Sequence, residues 1–118
     1  MLVSTETNFK NYDNDLKIKV ESKTYDQILG LYKDFVVAIK DNDLIILNIE
    51  DEVYTKFEDA WNKDNNTFYY NLSGKENDRI YLIIENKKIP SGTQGNCIEY
   101  YYTLSTNESG YNEKTSVQ

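Results

Sequence analysis

The stretch Phe35-Val36-Val37-Ala38-Ile39-Lys40-Asp41-Asn42-Asp43-Leu44-Ile45-Ile46-Leu47-Asn48-Ile49 sets two β-branched apolar runs on either side of three turn formers. Val and Ile favour the pleated, packed backbone of a strand, and Asp-Asn-Asp favours a tight reversal, so the stretch predicts a β-hairpin. Both runs are apolar at consecutive positions and not at alternate ones. Each face of the hairpin therefore needs a cover, either helices or the sheet folded over itself.

Outward from the hairpin, the pattern predicts helices on both flanks. Upstream, Thr24 and Gln27 fit a capping box, and Ile28, Leu31, Tyr32 and Phe35 recur at helical spacing, which predicts a short helix over Tyr25–Lys33 weakened by Gly30. Downstream, Val53, Phe57, Ala60 and Trp61 fall on one stripe of a helix over Glu50–Lys63, and Glu50, Asp51 and Glu52 would complement the positive end of its dipole. Further strands are expected at Leu16–Val20, Thr67–Leu72, Arg79–Glu85 and Asn96–Leu104, with Ser73-Gly74-Lys75-Glu76-Asn77-Asp78 as a second hairpin turn. The expected fold is α+β, a mainly antiparallel sheet of about five to six strands with two helices in the order β-α-β-β-α-β-β-β. The 118 residues suit one domain, with 1–15 and 105–118 read as flexible, polar ends.

Composition narrows the function. Histidine is absent and Cys97 is the single cysteine, which removes His-based catalytic triads, the commonest zinc ligand and any internal disulfide. Cys97 reads as a small apolar residue at a strand start. No phosphate-binding glycine loop occurs, and Asp13-Asn14-Asp15 and Asp41-Asn42-Asp43 are fragments of a calcium loop better explained as turns. No cofactor, no metal site and no enzymatic activity are expected; a converging pair of carboxylates ranks last among the functional readings. The apolar runs span a few residues against the roughly 20 of a membrane helix, and no secretory leader is visible, so a cytoplasmic protein is expected.

The charge distribution supplies the positive clue. Twenty acids against 13 bases leave a net charge of −7, which disfavours direct binding of nucleic acid or anionic lipid. Between Asp41 and Asp64 eight acids face only Lys56 and Lys63, so eight minus two places −6 of that −7 in 24 residues. On the expected helix Asp51 with Glu58, and Glu52 with Asp59, would lie seven residues apart, about 10.5 Å along one side, close to the span of three nucleotide steps. In size, charge and the order of hairpin and acidic amphipathic helix, the chain resembles small acidic phage proteins that block host nucleases, anti-CRISPR proteins among them. That resemblance covers about Phe35–Asn62 and carries no diagnostic motif. It implies a nucleic-acid mimic, of phage or mobile-element origin, that inhibits a nuclease or other nucleic-acid-handling protein by occupying its basic surface through Glu50, Asp51, Glu52, Glu58 and Asp59. The plainer reading of the same acids is helix capping and a solvated face.

Tyrosine is the other outlier, with 11 copies. Tyr100 and Tyr102 would face one side of a strand and Tyr101 the other, near Tyr69, Tyr70 and Tyr81 on neighbouring strands. Cross-strand packing accounts for most of them, and Tyr101 is the one taken as a partner contact. Two alternatives follow: an immunity-type protein that plugs a toxin's active site, and a regulatory RNA-binding module built on the tyrosine sheet.

Overall fold

A computed structural model describes residues 1–71 and 78–115, with the backbone alone for 68–71. The expected turn over 73–77 and the side chains of Tyr69 and Tyr70 lie outside the described residues. Among the described residues the structure is all-β, with eleven strands in three antiparallel sheets. The two expected helices are absent, and the α+β assignment with five to six strands is corrected accordingly. The chain divides into two compact units, Met1–Ala60 and Trp61–Gln118.

In the first unit, β1 (Leu2–Ser4), β2 (Phe9–Tyr12) and β3 (Ile18–Glu21) form one sheet. A second sheet holds β4 (Gln27–Tyr32), β5 (Phe35–Lys40), β6 (Asp43–Asn48) and β7 (Val53–Phe57) in sequential order. The central hairpin is β5–β6, as its composition predicts. Its loop is two residues long, Asp41 at φ 52° and Asn42 at φ 70°, between the paired Lys40 and Asp43. Two successive left-handed residues match the right-handed twist of the strands, and Asp and Asn tolerate that conformation best after glycine.

Val36, Ala38, Ile45 and Leu47 on one face of this hairpin pack with Phe9 of β2 and with Tyr25, and Leu2, Ile28 and Leu31 join at the margin. Those six buried residues are the reason the two sheets hold together, since a fully buried large apolar side chain contributes roughly 1.5–3 kcal/mol. Val37, Ile39, Leu44 and Ile46 on the opposite face are buried as well. The polar ends expected to be flexible contain paired strands: β1 and β2 within 1–15, and Glu108–Lys114, strand β11, within 105–118.

A β-bulge interrupts each segment expected to be helical, and in β4 it reproduces helical spacing. In β4 the register shifts between Ile28 and Gly30, so Ile28 pairs with Ala38 and Leu31 with Val36, and two residues three apart share one face. In β7 the shift falls at Tyr54, which lets Val53 pair with Leu47 and Phe57 with Leu44, on opposite faces of the sheet. Asp51 at φ 64° and Asp59 at φ 53° stand in left-handed turns at the two ends of the segment, which no α-helix accommodates.

The second unit is one four-stranded sheet, ordered β11 (Glu108–Lys114), β10 (Cys97–Thr103), β9 (Arg79–Asn86) and β8 (Asn66–Asn71). Ile80, Leu82 and Ile84 of β9 and Tyr100 and Tyr102 of β10 form its buried face.

Candidate functional site

The acids named from the sequence sit at the two ends of β7, an edge strand of its sheet. Asn48 builds the turn that precedes the strand: its Oδ1 accepts the N–H of Glu50 at 2.9 Å and of Glu52 at 3.0 Å, and its Nδ2 donates to Glu52 Oε1 at 3.2 Å. The turn leaves Glu50 and Glu52 exposed. Asp51 points the other way. Its Oδ2 accepts the Lys23 N–H at 2.7 Å, and its Oδ1 accepts the hydroxyl of Tyr25, which is itself 5 % exposed. Asp51 is a structural acceptor that ties the β6–β7 turn to the segment joining the two sheets.

At the far end of β7, Asp43 Oδ1 accepts the Asp59 N–H at 3.0 Å and fixes the turn after the strand. Lys56 Nζ lies 3.8 Å from Asp43 and 3.9 Å from Glu58, a shared surface ion pair of the kind that contributes at most about 1 kcal/mol. Glu58 and Asp59 are exposed. In the extended strand successive residues advance about 3.3 Å and not 1.5 Å, so the helical spacing of Asp51 with Glu58 and of Glu52 with Asp59 does not exist. The acids form two groups, one at each end of the edge.

Between them lie two side chains that the helical reading left out. Val53 is 57 % and Tyr54 46 % exposed, and the Tyr54 ring packs against Phe35 with centroids 5.2 Å apart. The signal for them is in the sequence: Val53-Tyr54-Thr55 is a β-branched and aromatic triplet, poor in helix propensity and good in a strand.

Tyr101 belongs to the second unit. As the alternation requires, it faces away from the buried Tyr100 and Tyr102. Its ring covers Gly110, its cross-strand partner, so closely that a Cβ at Gly110 would meet the Tyr101 Oη at 2.5 Å. Arg79 lies over the ring at 4.9 Å, donates from Nε to Thr103 Oγ1 at 2.9 Å, and stands 4.0 Å from Glu108. Tyr101 is thus half-buried and packed on its own sheet.

Cys97 opens β10 and is buried; burial first, and the nearby Glu85 second, push its thiol pKa up, which keeps it protonated and unreactive. Among the described residues no group of three or more His, Cys, Asp or Glu side chains is arranged to hold a metal ion. No helix among them is long and apolar enough to cross a membrane.

Burial, then the hydrogen bond and charge of Asp51, raise the Tyr25 pKa, and burial followed by Tyr111 raises that of Tyr100. The folded chain therefore keeps phenolic protons that the unfolded chain loses from pH about 10 upward. That stability is complete below pH 10 and declines as the pH rises above it. Urea midpoints at pH 8 and pH 11 are expected to fall, and a Tyr25→Phe variant is expected to fall less between the same two values.

No protein-family model, curated protein or solved structure matches the chain.

Proposed function

We propose that this chain is a small acidic binding protein, not an enzyme, that inhibits a nucleic-acid-handling protein by occupying its basic surface, in the manner of a phage or mobile-element anti-defence protein. One observation carries the reading: the exposed carboxylates of Glu50, Glu52, Glu58 and Asp59 bracket the exposed Val53 and Tyr54 along an edge strand. An apolar, aromatic centre with a charged rim is the arrangement in which a tyrosine supplies contact energy while the rim sets partner choice and association rate. The sign of the rim selects a cationic partner. A basic groove built for phosphates meets that requirement, and the chain's own negative charge opposes direct binding of nucleic acid. Asp51 leaves the contact set because its carboxylate is already engaged, and Tyr101 leaves it because its ring is packed under Arg79. The same packing weighs against a tyrosine platform for RNA, which needs exposed ring faces.

The test is a pull-down from nuclease-treated lysate of the native host, run with the wild-type chain and with a variant carrying Glu50→Lys, Glu52→Lys, Glu58→Lys and Asp59→Asn. Asparagine is used at 59 because that residue has positive φ. The wild type is expected to retain a protein with a basic surface that elutes with rising salt, and the variant to lose it while its circular dichroism is unchanged. Equal retention by both chains, or RNA as the co-purifying species from untreated lysate, refutes the proposal.

A further inference from the structure

The edge strand β11 has features that the binding surface on β7 does not use. It spans seven residues, six of them exposed, and pairs with β10 without a register break from Cys97–Lys114 to Thr103–Glu108. Of the other edges, β3, β4 and β7 each carry a bulge in their pairing, β1 is three residues long, and β8 is regular but one residue shorter than β11. A long, regular, exposed edge presents a row of backbone donors and acceptors to any strand of suitable register.

The direction of those groups is set by the observed bonds. The Lys114 carbonyl faces β10 and accepts the Gly95 N–H at 3.2 Å, so by strand alternation 108, 110, 112 and 114 bond inward and 109, 111 and 113 present their N–H and C=O outward. The Glu113 carbonyl is indeed reached from outside the ladder, by Gln94 Nε2 at 3.1 Å, and keeps a second lone pair. Tyr111 is the middle residue of the strand and one of the outward set.

A two-fold axis at Tyr111 makes the sequence Glu108-Ser109-Gly110-Tyr111-Asn112-Glu113-Lys114 complementary to itself. Run antiparallel, Glu108 stands opposite Lys114 of the second copy, Gly110 opposite Asn112, and Tyr111 opposite Tyr111. Glu108 already lies 4.0 Å from Arg79, and Lys114 2.9 Å from Glu99. The pairing joins these two separate contacts into an alternating row, Arg79, Glu108, then Lys114 and Glu99 of the second copy, and the symmetry repeats it. On the other face Tyr111, 61 % exposed and 5.9 Å from the Tyr100 ring, meets its symmetry mate as a cross-strand aromatic pair.

The geometry points to a symmetric homodimer in which β11 pairs antiparallel with β11 of a second copy of this chain, in the register centred on Tyr111, giving a continuous eight-stranded sheet. The contact is one strand wide and falls at the small end of specific interfaces, so the association is weak and requires high concentration. The charge of −7 on each copy opposes approach at long range, and about 0.15 M salt screens it beyond roughly 8 Å.

Sedimentation equilibrium of the intact chain in about 0.15 M salt, over a range extending to several hundred micromolar, is expected to show a monomer–dimer equilibrium. Tyr111→Pro removes an outward N–H without touching a backbone bond to β10; it is expected to abolish the dimer while the circular dichroism spectrum is unchanged. Register is read by mild oxidation. Paired residues of the hydrogen-bonded type have Cα atoms about 5.5 Å apart, within disulfide reach, so Tyr111→Cys is expected to cross-link at least about tenfold faster than Asn112→Cys, whose symmetry mates are not opposite one another. The native Cys97 is 3 % exposed and stays out of the reaction. A monomeric mass over the whole concentration range, or equal cross-linking rates for the two cysteine variants, overturns the proposal.

Discussion

Phe9→Ala is expected to lower the free energy of unfolding by about 3–5 kcal/mol. Phe9 has no exposed surface and sits in the cluster that joins β2 to the β5–β6 hairpin, against Val36, Ala38, Ile45 and Leu47. Truncation removes the whole ring from a site whose walls are two hydrogen-bonded sheets, which restricts their collapse into the void. The backbone at Phe9 is fixed too: its N–H donates to Ser22 Oγ at 2.9 Å and its carbonyl accepts the Ser22 N–H at 2.9 Å. A domain of this size is stable by about 5–15 kcal/mol, so the variant loses about a fifth of its stability or more. Urea unfolding followed by circular dichroism measures it, with the midpoint shifted and the slope retained. A loss below about 1 kcal/mol would mean that β2 is not packed on the hairpin at all, because surface substitutions account for changes of that size.

That experiment addresses the part of the fold that the sequence conceals. The hairpin over 35–48 is legible because two apolar, β-branched runs and a left-handed Asp-Asn turn all specify it, and β9 and β10 are legible for similar reasons of composition. The segment Met1–Asp15 offers one large buried residue per strand at most, and a single Phe9 generates no period. β11 has exposed side chains at six of seven positions, and its pairing rests on the backbone ladder, which composition does not report. In β4 and β7 the bulges insert an extra residue and convert a spacing of two into one of three, so Ile28 with Leu31 obeys the helical template inside a strand. Long-range pairing with β5 and β6 outweighs local helix propensity here, and the neighbouring Gly30 and Val53-Tyr54-Thr55 are the residues that disclose it.

The candidate site was legible in its chemistry and not in its geometry. The concentration of acid between Asp41 and Asp64 is a property of the sequence and survives any change of secondary structure. Which carboxylates face a partner depends on φ at single residues. Asp51 at φ 64° turns its side chain back onto Lys23 and Tyr25, while Glu50 and Glu52 on either side of it face solvent. The facing of Tyr100, Tyr101 and Tyr102 was readable, because strand alternation is strict and no bulge interrupts β10. The covering of Tyr101 by Arg79 was not, because it depends on the register with β9.

Asp51→Ala is accordingly expected to cost about 3 kcal/mol, although a surface acid seldom contributes that much. Two donors lose a charged acceptor at once, the Lys23 N–H at 2.7 Å and the Tyr25 hydroxyl, and each such bond contributes about 1.5–3 kcal/mol. The Tyr25 hydroxyl is then left in a mostly buried position without that acceptor, and alanine is strained at a φ of 64° where aspartate is tolerated. Glu50→Gln and Glu58→Gln, at exposed positions of the same segment, are expected to stay within about 0.5 kcal/mol of the wild type. The double variant Asp51→Ala, Tyr25→Phe separates the causes, since removing both partners relieves the unsatisfied hydroxyl; its loss is expected to fall short of the sum of the single losses by about 1–2 kcal/mol. Additive losses would mean that the Asp51–Tyr25 contact contributes nothing. The same comparison decides how any loss of partner binding at Asp51 is to be read: a variant that binds poorly because its turn has come away from the sheet is distinguished, by its melting curve, from one that has lost a carboxylate at the contact.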